Sequence, residues 1–339
     1  MKKQYINFLK FISIILVICI HIISKLWNIY PLTSNEFRIL TMLDCFCRIC
    51  VPIFAMCSGV IFLNRNDKPK NIFLKYILKI YLIFIIFNLL YKIFDYIYIK
   101  DGIINVKIIF NFILDSILLK SIYHLWYLKI VIIIYSSILI FKYFINKNKR
   151  YIENILLFLL ITLFIVLPTF ITNAYYVEIV NLIGYITYFY LGYYLYKYKN
   201  LKMLLFLFIL SIISYIDMYN NTINSSEKTE YFMRYLSINV CTMSSFVFLF
   251  VSRIENVFEK DKIKKILNFE SKHNFNIYLI HGFVIGGLQY IKLIDIYNYK
   301  NIYCIFVYVI ITYIICLIVS VVAVKTLNIL NRKCKLIKE

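Results

Sequence analysis

Long apolar runs, separated by short polar connections, repeat along nearly the whole chain. Ten of these runs are long enough to cross the roughly 30 Å of hydrocarbon in a bilayer as helices. They lie at about residues 7–29, 39–63, 73–97, 124–145, 152–172, 176–197, 202–219, 232–253, 274–294 and 301–329. The pattern therefore predicts an all-α, polytopic integral membrane protein with about ten transmembrane helices.

A further apolar stretch, at 103–119, is shorter and carries Lys107, Asn111 and Asp115 at four-residue spacing. Because residues four apart share one face of a helix, this stretch predicts an amphipathic helix at the membrane surface. No linker, repeat or low-complexity tract divides the chain. We therefore expect a single transmembrane domain over residues 1–339.

Lys and Arg are distributed unevenly between alternate connections. The connections on the side of the N-terminus hold more than twice as many of them as those on the other side. Since cytoplasmic loops carry the excess of positive charge, both termini are predicted to be cytoplasmic. The same topology explains the net charge of +21 without nucleic-acid binding.

Composition agrees with a membrane protein and argues against a metal site. The 339 residues are 62% hydrophobic and 16% charged, whereas an ordinary soluble domain is about 25% charged. Most of the cysteines fall within apolar runs and are expected to pack as small hydrophobic residues. The cluster CFCRIC at 45–50 does not match a known ligand spacing, so no metal is predicted.

Two ionisable residues interrupt the first apolar run, at Lys10 and His21. Eleven residues of helix return to within about 20° of the starting direction and rise about 16 Å, so both lie on one face. A titratable group inside a membrane span usually faces a protein interior or a polar cavity, which makes the pair a functional-site hypothesis. The alternatives are that Lys10 reaches to the cytoplasmic surface and that His21 is an interior histidine with a structural partner.

Other polar residues are expected at similar depth. Arg48 lies in the second run, His124 at the outer end of the fourth, and His281 within the ninth. One polar site shared by several helices is more economical than separate unpaired groups. The alternative for Arg48 is local pairing with Asp44, four residues earlier on the same helix.

Five segments in order resemble the integral-membrane acyltransferase 3 family, and within it most closely the surface-polysaccharide O-acetyltransferases. INFLKFISIILVICIH at 6–21 resembles the opening signature, in which Arg or Lys is followed by His. CRICVPIFAMCSGVIF at 47–62 resembles the second helix, with Arg48, Pro52, Phe54, Ser58 and Gly59 at matching places. YHLWYL at 123–128, YFYLGYYL at 188–195 and SKHNFNIYLIHGF at 271–283 resemble later elements. The resemblance covers nearly the whole chain.

The resemblance implies transfer of an acetyl group from cytoplasmic acetyl-CoA to a hydroxyl of a surface polysaccharide or its lipid-linked precursor, in the cytoplasmic (inner) membrane. It makes His21 the expected general base, because imidazole titrates in the useful range. Lys10 is expected to attract the phosphates of CoA, and Arg48 to stabilise negative charge. The expected acceptor-binding residues are His124, Trp126, Tyr278 and His281.

Some of the matched residues also have structural explanations. Trp126 at a helix end is typical of an interfacial anchor. Ser58 with Gly59, and Gly192, are expected to permit close helix packing. Pro52 is expected to kink the second helix.

Two other functions remain open at this point. One is an exporter or flippase for a surface glycan without transferase activity, which should tolerate loss of His21. The other is a catalytically silent sensor or partner that retains only the fold.

Overall fold

The computed structural model describes residues 3–100, 102–147, 149–171, 174–291 and 303–336. All regular elements in these ranges are helical. The first six α-helices are α1 (Gln4–Trp27), α2 (Asn35–Cys47), α3 (Cys50–Leu63), α4 (Pro69–Asn71), α5 (Leu78–Phe94) and α6 (Val106–Ile117). The others are α7 (Trp126–Asn146), α8 (Arg150–Ile161), α9 (Ala174–Ile183), α10 (Ile186–Lys197), α11 (Leu201–Ile223), α12 (Ile238–Arg253), α13 (Glu255–Phe258), α14 (Asp261–Tyr290) and α15 (Tyr303–Leu336). Short 3₁₀ or π turns join several of them.

Eight helical segments of the described chain are long and apolar enough to cross a membrane. They are Gln4–Trp27, Asn35–Leu63, Pro69–Tyr98, Tyr123–Asn146, Arg150–Thr169, Leu201–Ile223, Tyr231–Arg253 and Cys304–Ile329. The predicted all-α polytopic class is confirmed. The ends of two predicted spans, at 292–294 and 301–302, lie outside the described residues.

The other two predicted spans take a different form. The run at 176–197 is divided into α9 and α10, which have 10 and 12 residues and are joined at Gly184 and Tyr185. The run at 274–294 begins inside the 30-residue helix α14, whose first half is polar. The turn between α9 and α10 was not visible in the apolar pattern, because length and hydropathy do not reveal a turn within a run. The apolar pattern also does not show that the polar residues before 274 belong to the same helix.

Helix α14 runs beside α1 in the same direction over the full length of α1. Near one end, the Gln4 side-chain nitrogen donates to the Asn268 side-chain oxygen at 3.1 Å. Near the other end, Lys25 donates to the side chain of Gln289. Both pairs are 264 residues apart in sequence, so the two helices keep the same register. This parallel packing supports the predicted outward span near 274–294.

Within the described ranges, every second connection along the chain lies on the same face of the fold, and the remaining connections lie on the opposite face. On one face the Lys199 ammonium group donates to the carbonyl oxygen of Ser252 at 2.7 Å, which joins two connections predicted to be cytoplasmic. On the other face Lys228 donates to the carbonyl oxygen of Asn28 at 2.7 Å. The two groups of loops are therefore the ones that the charge pattern separates. Four lysines that belong to that pattern lie outside the described residues: Lys2, Lys292, Lys300 and Lys338.

The predicted second span is interrupted where Pro52 follows Arg48. Helix α2 ends at Cys47, a turn covers Arg48 and Ile49, and α3 begins at Cys50. The Pro52 nitrogen carries no hydrogen, so it cannot donate to the carbonyl oxygen of Arg48 as an uninterrupted helix would require. Arg48 and Ile49 keep right-handed helical backbone angles, so the expected kink corresponds to a local interruption within the single span Asn35–Leu63, with Arg48 at the C-cap of α2.

Helices α3 and α10 pack backbone against backbone through glycines. A Cβ atom added at Gly59 would lie 1.8 Å from the carbonyl oxygen of Phe189. One added at Gly192 would lie 2.3 Å from the carbonyl oxygen of Met56. The expectation that Gly59 and Gly192 permit close helix packing is confirmed.

Helix α6 is the helix predicted at 103–119, and it is not one of the eight apolar spans. The Asn105 side chain accepts from the Ile108 N–H at 2.9 Å and caps its N-terminus. Asp115 binds the Lys92 ammonium group at 2.8 Å and that of Lys120 at 3.1 Å. Hydrogen bonds from these two lysines hold the pKa of the Asp115 carboxyl below its usual range.

Candidate functional site

Three imidazole rings from separate segments meet in the interior. His21 lies on α1, His124 in the 3₁₀ turn before α7, and His281 on α14. The ring centroids of His124 and His281 are 4.1 Å apart, those of His21 and His281 5.2 Å, and those of His21 and His124 5.8 Å. His124 and His281 are buried, and His21 is partly accessible. The structure therefore brings these predicted residues together, and we call them the three-histidine cluster.

Hydrogen bonds that involve Tyr278 hold the backbone of His124 and the ring of His281. The Tyr278 hydroxyl donates to the carbonyl oxygen of His124 at 2.7 Å. One turn later on α14, the Nδ1 atom of His281 lies 2.7 Å from the carbonyl oxygen of Tyr278. Because a carbonyl oxygen only accepts, Nδ1 of His281 carries the hydrogen and its Nε2 atom keeps a lone pair. Tyr278 thus positions both His124 and His281.

A cavity of about 240 Å³ opens on the outer side of the cluster; we call it the outer cavity. His21 and His124 form part of its wall. Its other lining residues include the polar side chains Ser24, Arg48 and Glu230 and the aromatic side chains Phe54, Trp126, Tyr127, Tyr235 and Tyr278. Aromatic walls with a few convergent polar groups are typical of small-molecule sites.

Arg48 lines the outer cavity and is neutralised there by two carboxylates. Its guanidinium group binds Asp44 through two hydrogen bonds, at 3.0 and 2.6 Å. A third bond reaches Glu230 at 3.0 Å. Arg48 therefore pairs locally with Asp44, as one alternative predicted. It also lines the same cavity as His21, as the shared polar site predicted.

A second cavity, of about 370 Å³, lies nearer the face predicted to be cytoplasmic; we call it the inner cavity. Lys10, Lys75 and Lys79 line it from α1 and from the segment that begins α5. The predicted placement of Lys10 on an interior face is thus observed. Three cationic groups at one cavity favour a polyanionic ligand.

The two cavities share three aromatic residues of the wall between them, and we call this wall the waist. Phe54, Tyr127 and Tyr278 line both the inner and the outer cavity. Tyr278 also holds His124 through its hydroxyl group. The waist between the cavities therefore lies beside the three-histidine cluster, between Lys10 on one side and His21 on the other.

Trp126 lies inside this site instead of only at the membrane boundary. Its ring centroid is 5.8 Å from that of Tyr185 and 5.8 Å from that of Tyr235, and it lines the outer cavity. Interfacial position and cavity lining are compatible, because Trp126 begins α7. All seven residues predicted for the site thus line one of the cavities or belong to the three-histidine cluster; their functional roles remain predictions.

Sequence reasoning missed several residues of the site. Lys79 follows Lys75 by four residues in an apolar run, which places both on one helix face, and this spacing was a usable signal. Glu230 and Tyr235 lie far along the chain from Arg48, and no local pattern singles them out. They line the outer cavity with Arg48 only because the segment before α12 packs against the end of α2.

Comparison with known proteins gives one strong match. A family model described as an acyltransferase domain, of the acyltransferase 3 type, matches residues 3–321. No curated protein and no solved structure matches the chain.

Proposed function

Because the chain belongs to the acyltransferase 3 family and is therefore a multi-pass membrane acyltransferase, we propose that it is an O-acetyltransferase. In this proposal it moves an acetyl group from cytoplasmic acetyl-CoA to a hydroxyl of a surface polysaccharide or its lipid-linked sugar precursor. It works in the cytoplasmic membrane, surrounded by lipid, and has no nucleic-acid partner.

The observation that carries this proposal is that the inner and outer cavities lie on either side of a wall that they share, formed by Phe54, Tyr127 and Tyr278. A thioester that enters from the inner cavity would bring its acyl carbon to the waist. An acceptor hydroxyl in the outer cavity would reach the same point from the opposite side. Two reactants held at one point react with a much smaller entropic barrier than in solution.

The inner cavity suits the donor because CoA carries several phosphate charges. Lys10, Lys75 and Lys79 supply positive charge at this cavity, and Asn274 adds a buried amide. Lys10 is a point charge without the planar fork of arginine, so we assign it attraction of phosphate or support of the pantetheine arm.

His21 is the proposed general base. It takes the proton of the acceptor hydroxyl while that oxygen attacks the thioester carbonyl carbon. Collapse of the tetrahedral intermediate breaks the carbon–sulfur bond, and the departing CoA thiolate takes the proton back from His21. The reaction is then balanced without a further reactant.

The acceptor is proposed to bind between aromatic and charged side chains of the outer cavity. Trp126, His124, Tyr278 and His281 shape the wall beside His21 or support it. Asp44 and Glu230 offset the charge of Arg48, so we assign Arg48 the orientation of sugar hydroxyls in preference to stabilisation of an oxyanion.

The test uses purified protein in lipid nanodiscs with radiolabelled acetyl-CoA and glycan extracted from the source membrane. His21→Gln should abolish label transfer. His273→Gln is the matched control, because His273 lies outside both cavities and binds Ser320 at 2.9 Å. Equal acetyl transfer by His21→Gln and the unaltered protein would refute the assignment. Glycan transport into sealed liposomes that survives this substitution, with no acetyl transfer by either protein, would favour an exporter.

The donor side is tested separately. Lys10→Ala should raise the KM for acetyl-CoA at least about tenfold, which corresponds to the loss of about 1.4 kcal/mol of binding. Lys70→Ala is the control, because Lys70 is exposed and does not line the inner cavity. A KM unchanged by Lys10→Ala would contradict the donor role.

A further inference from the structure

The three-histidine cluster has the arrangement of a metal site as well as that of a base. The ring nitrogens that His21, His124 and His281 can offer as ligands all lie within 4.8 Å of one another. Along the sequence these residues are more than a hundred positions apart, so no metal-ligand spacing in the sequence indicates them. The cluster is produced only by the packing of α1, α14 and the turn before α7.

Two of these ring nitrogens have no partner. The Nε2 atoms of His124 and His281 are buried and make no hydrogen bond within the described part of the chain. His124 is 4% exposed and His281 is 0% exposed. A buried polar atom without a partner destabilises the folded protein by about 1–3 kcal/mol, and a bound ion or water molecule at these two atoms would remove that cost.

The support of His281 matches that of a metal ligand. Its Nδ1 atom donates to the carbonyl oxygen of Tyr278 at 2.7 Å, which leaves the lone pair on Nε2. Histidines that bind metals commonly donate their other ring nitrogen to a backbone carbonyl or a carboxylate in this way. Tyr278 also donates to the backbone carbonyl oxygen of His124, so one residue contacts two of the three histidines.

Access and charge also fit a cation. His21 and His124 line the outer cavity, so an ion can reach the cluster from the outer side and keep one coordination position open there. Two positive groups lie nearby: Arg48, which is paired with Asp44 and Glu230, and Lys25, which donates to Gln289 and lines a smaller cavity with His21 and His124. The two carboxylates equal these two cations in charge. Three neutral imidazoles with an open fourth position form a known zinc arrangement.

We propose that the three-histidine cluster binds one divalent cation of the zinc class from the outer cavity, and that bound cation blocks acyl transfer. The block follows because a neutral imidazole has a single lone pair, so His21 cannot hold a metal and accept a proton at once. The binding itself is independent of the proposed function, whereas the block rests on it.

Binding is measured with the purified full-length protein in detergent after removal of chelators. Co²⁺ should give the visible absorption bands of a tetrahedral site, and Zn²⁺ should displace it at one ion per chain. His281→Gln should weaken Zn²⁺ binding at least about tenfold, the lower end of what loss of even an outer supporting group does. His273→Gln should bind Zn²⁺ as the unaltered protein does, and size-exclusion chromatography checks that each variant is folded.

The possible outcomes test metal binding and the block of acyl transfer separately. Absence of the Co²⁺ bands, or Zn²⁺ affinity unchanged in His281→Gln, overturns the metal site. Acyl transfer that continues at saturating Zn²⁺ overturns the block. If no acyl transfer occurs under any condition while Zn²⁺ binds at one ion per chain, the metal site is supported and the proposed function fails.

Discussion

Replacing Gly59 by alanine tests how closely α3 and α10 must pack. The added Cβ would lie 1.8 Å from the carbonyl oxygen of Phe189 and 2.8 Å from its carbonyl carbon. Ordinary contacts between such atoms are about 3.5 Å, so the helices would have to separate by roughly 1.5 Å at this point. Since both obstructing atoms belong to the backbone, no change of rotamer relieves the clash.

The magnitude follows from the size of this displacement. A gap of about 0.5–1 Å already removes a quarter to a half of the dispersion energy of each contact. Overpacking of a tight core destabilises by about 1–3 kcal/mol, and a clash between backbones belongs at the upper end. The better helix propensity of alanine returns at most about 1 kcal/mol. We therefore expect Gly59→Ala to lower the free energy of unfolding by at least about 2 kcal/mol.

Gly287 provides the matched control, because a Cβ added there meets nothing within 4 Å. Gly287→Ala should leave stability unchanged or raise it by up to about 1 kcal/mol. Thermal melting of both variants in one detergent, followed by fluorescence-detected size-exclusion chromatography, should separate their midpoints by at least about 3 °C. Equal midpoints would refute the backbone contact between α3 and α10.

Two further predictions concern ion pairs. Asp44→Asn removes the carboxylate that accepts two hydrogen bonds from the buried Arg48. We expect the free energy of unfolding to fall by about 3–5 kcal/mol, which thermal melting measures. A loss below about 1 kcal/mol would show that Glu230 alone is enough to pair with Arg48. The lysines on Asp115 lower the pKa of its carboxyl, so its stabilising contribution is present above the unfolded pKa near 4 and disappears as the pH falls through the folded value. Asp115→Asn should therefore flatten the acid side of a plot of melting midpoint against pH, and an unaltered acid side would contradict the pairing.

Much of the candidate site followed from local features of the chain. Lys10 and His21 interrupt an apolar helix and share one face, and Lys10 lines the inner cavity while His21 lines the outer one. His281 was indicated by its depth and by the family resemblance, and Tyr278 by the resemblance; both contact His124. These residues were accessible to prediction because a polar side chain in hydrocarbon must turn inward.

Other features had no local signal. The position of Pro52 indicated a local interruption of the second span, but not that α2 would end at Cys47 and α3 begin at Cys50. Glu230 reaches Arg48 across 182 residues of sequence. The unpaired Nε2 atoms of His124 and His281 become apparent only when every neighbour is in place.

The sequence by itself determined the helical class, the approximate spans, the grouping of the loops and the inward face of α1, because hydropathy and charge act on each segment separately. Only the tertiary structure decided how the segments meet: the parallel register of α1 and α14, the glycine contacts of α3 and α10, and the wall that the two cavities share beside the three-histidine cluster. The physical reason is that these arrangements depend on steric fit and polar pairing between residues far apart in sequence, and short-range patterns do not encode which helices become neighbours.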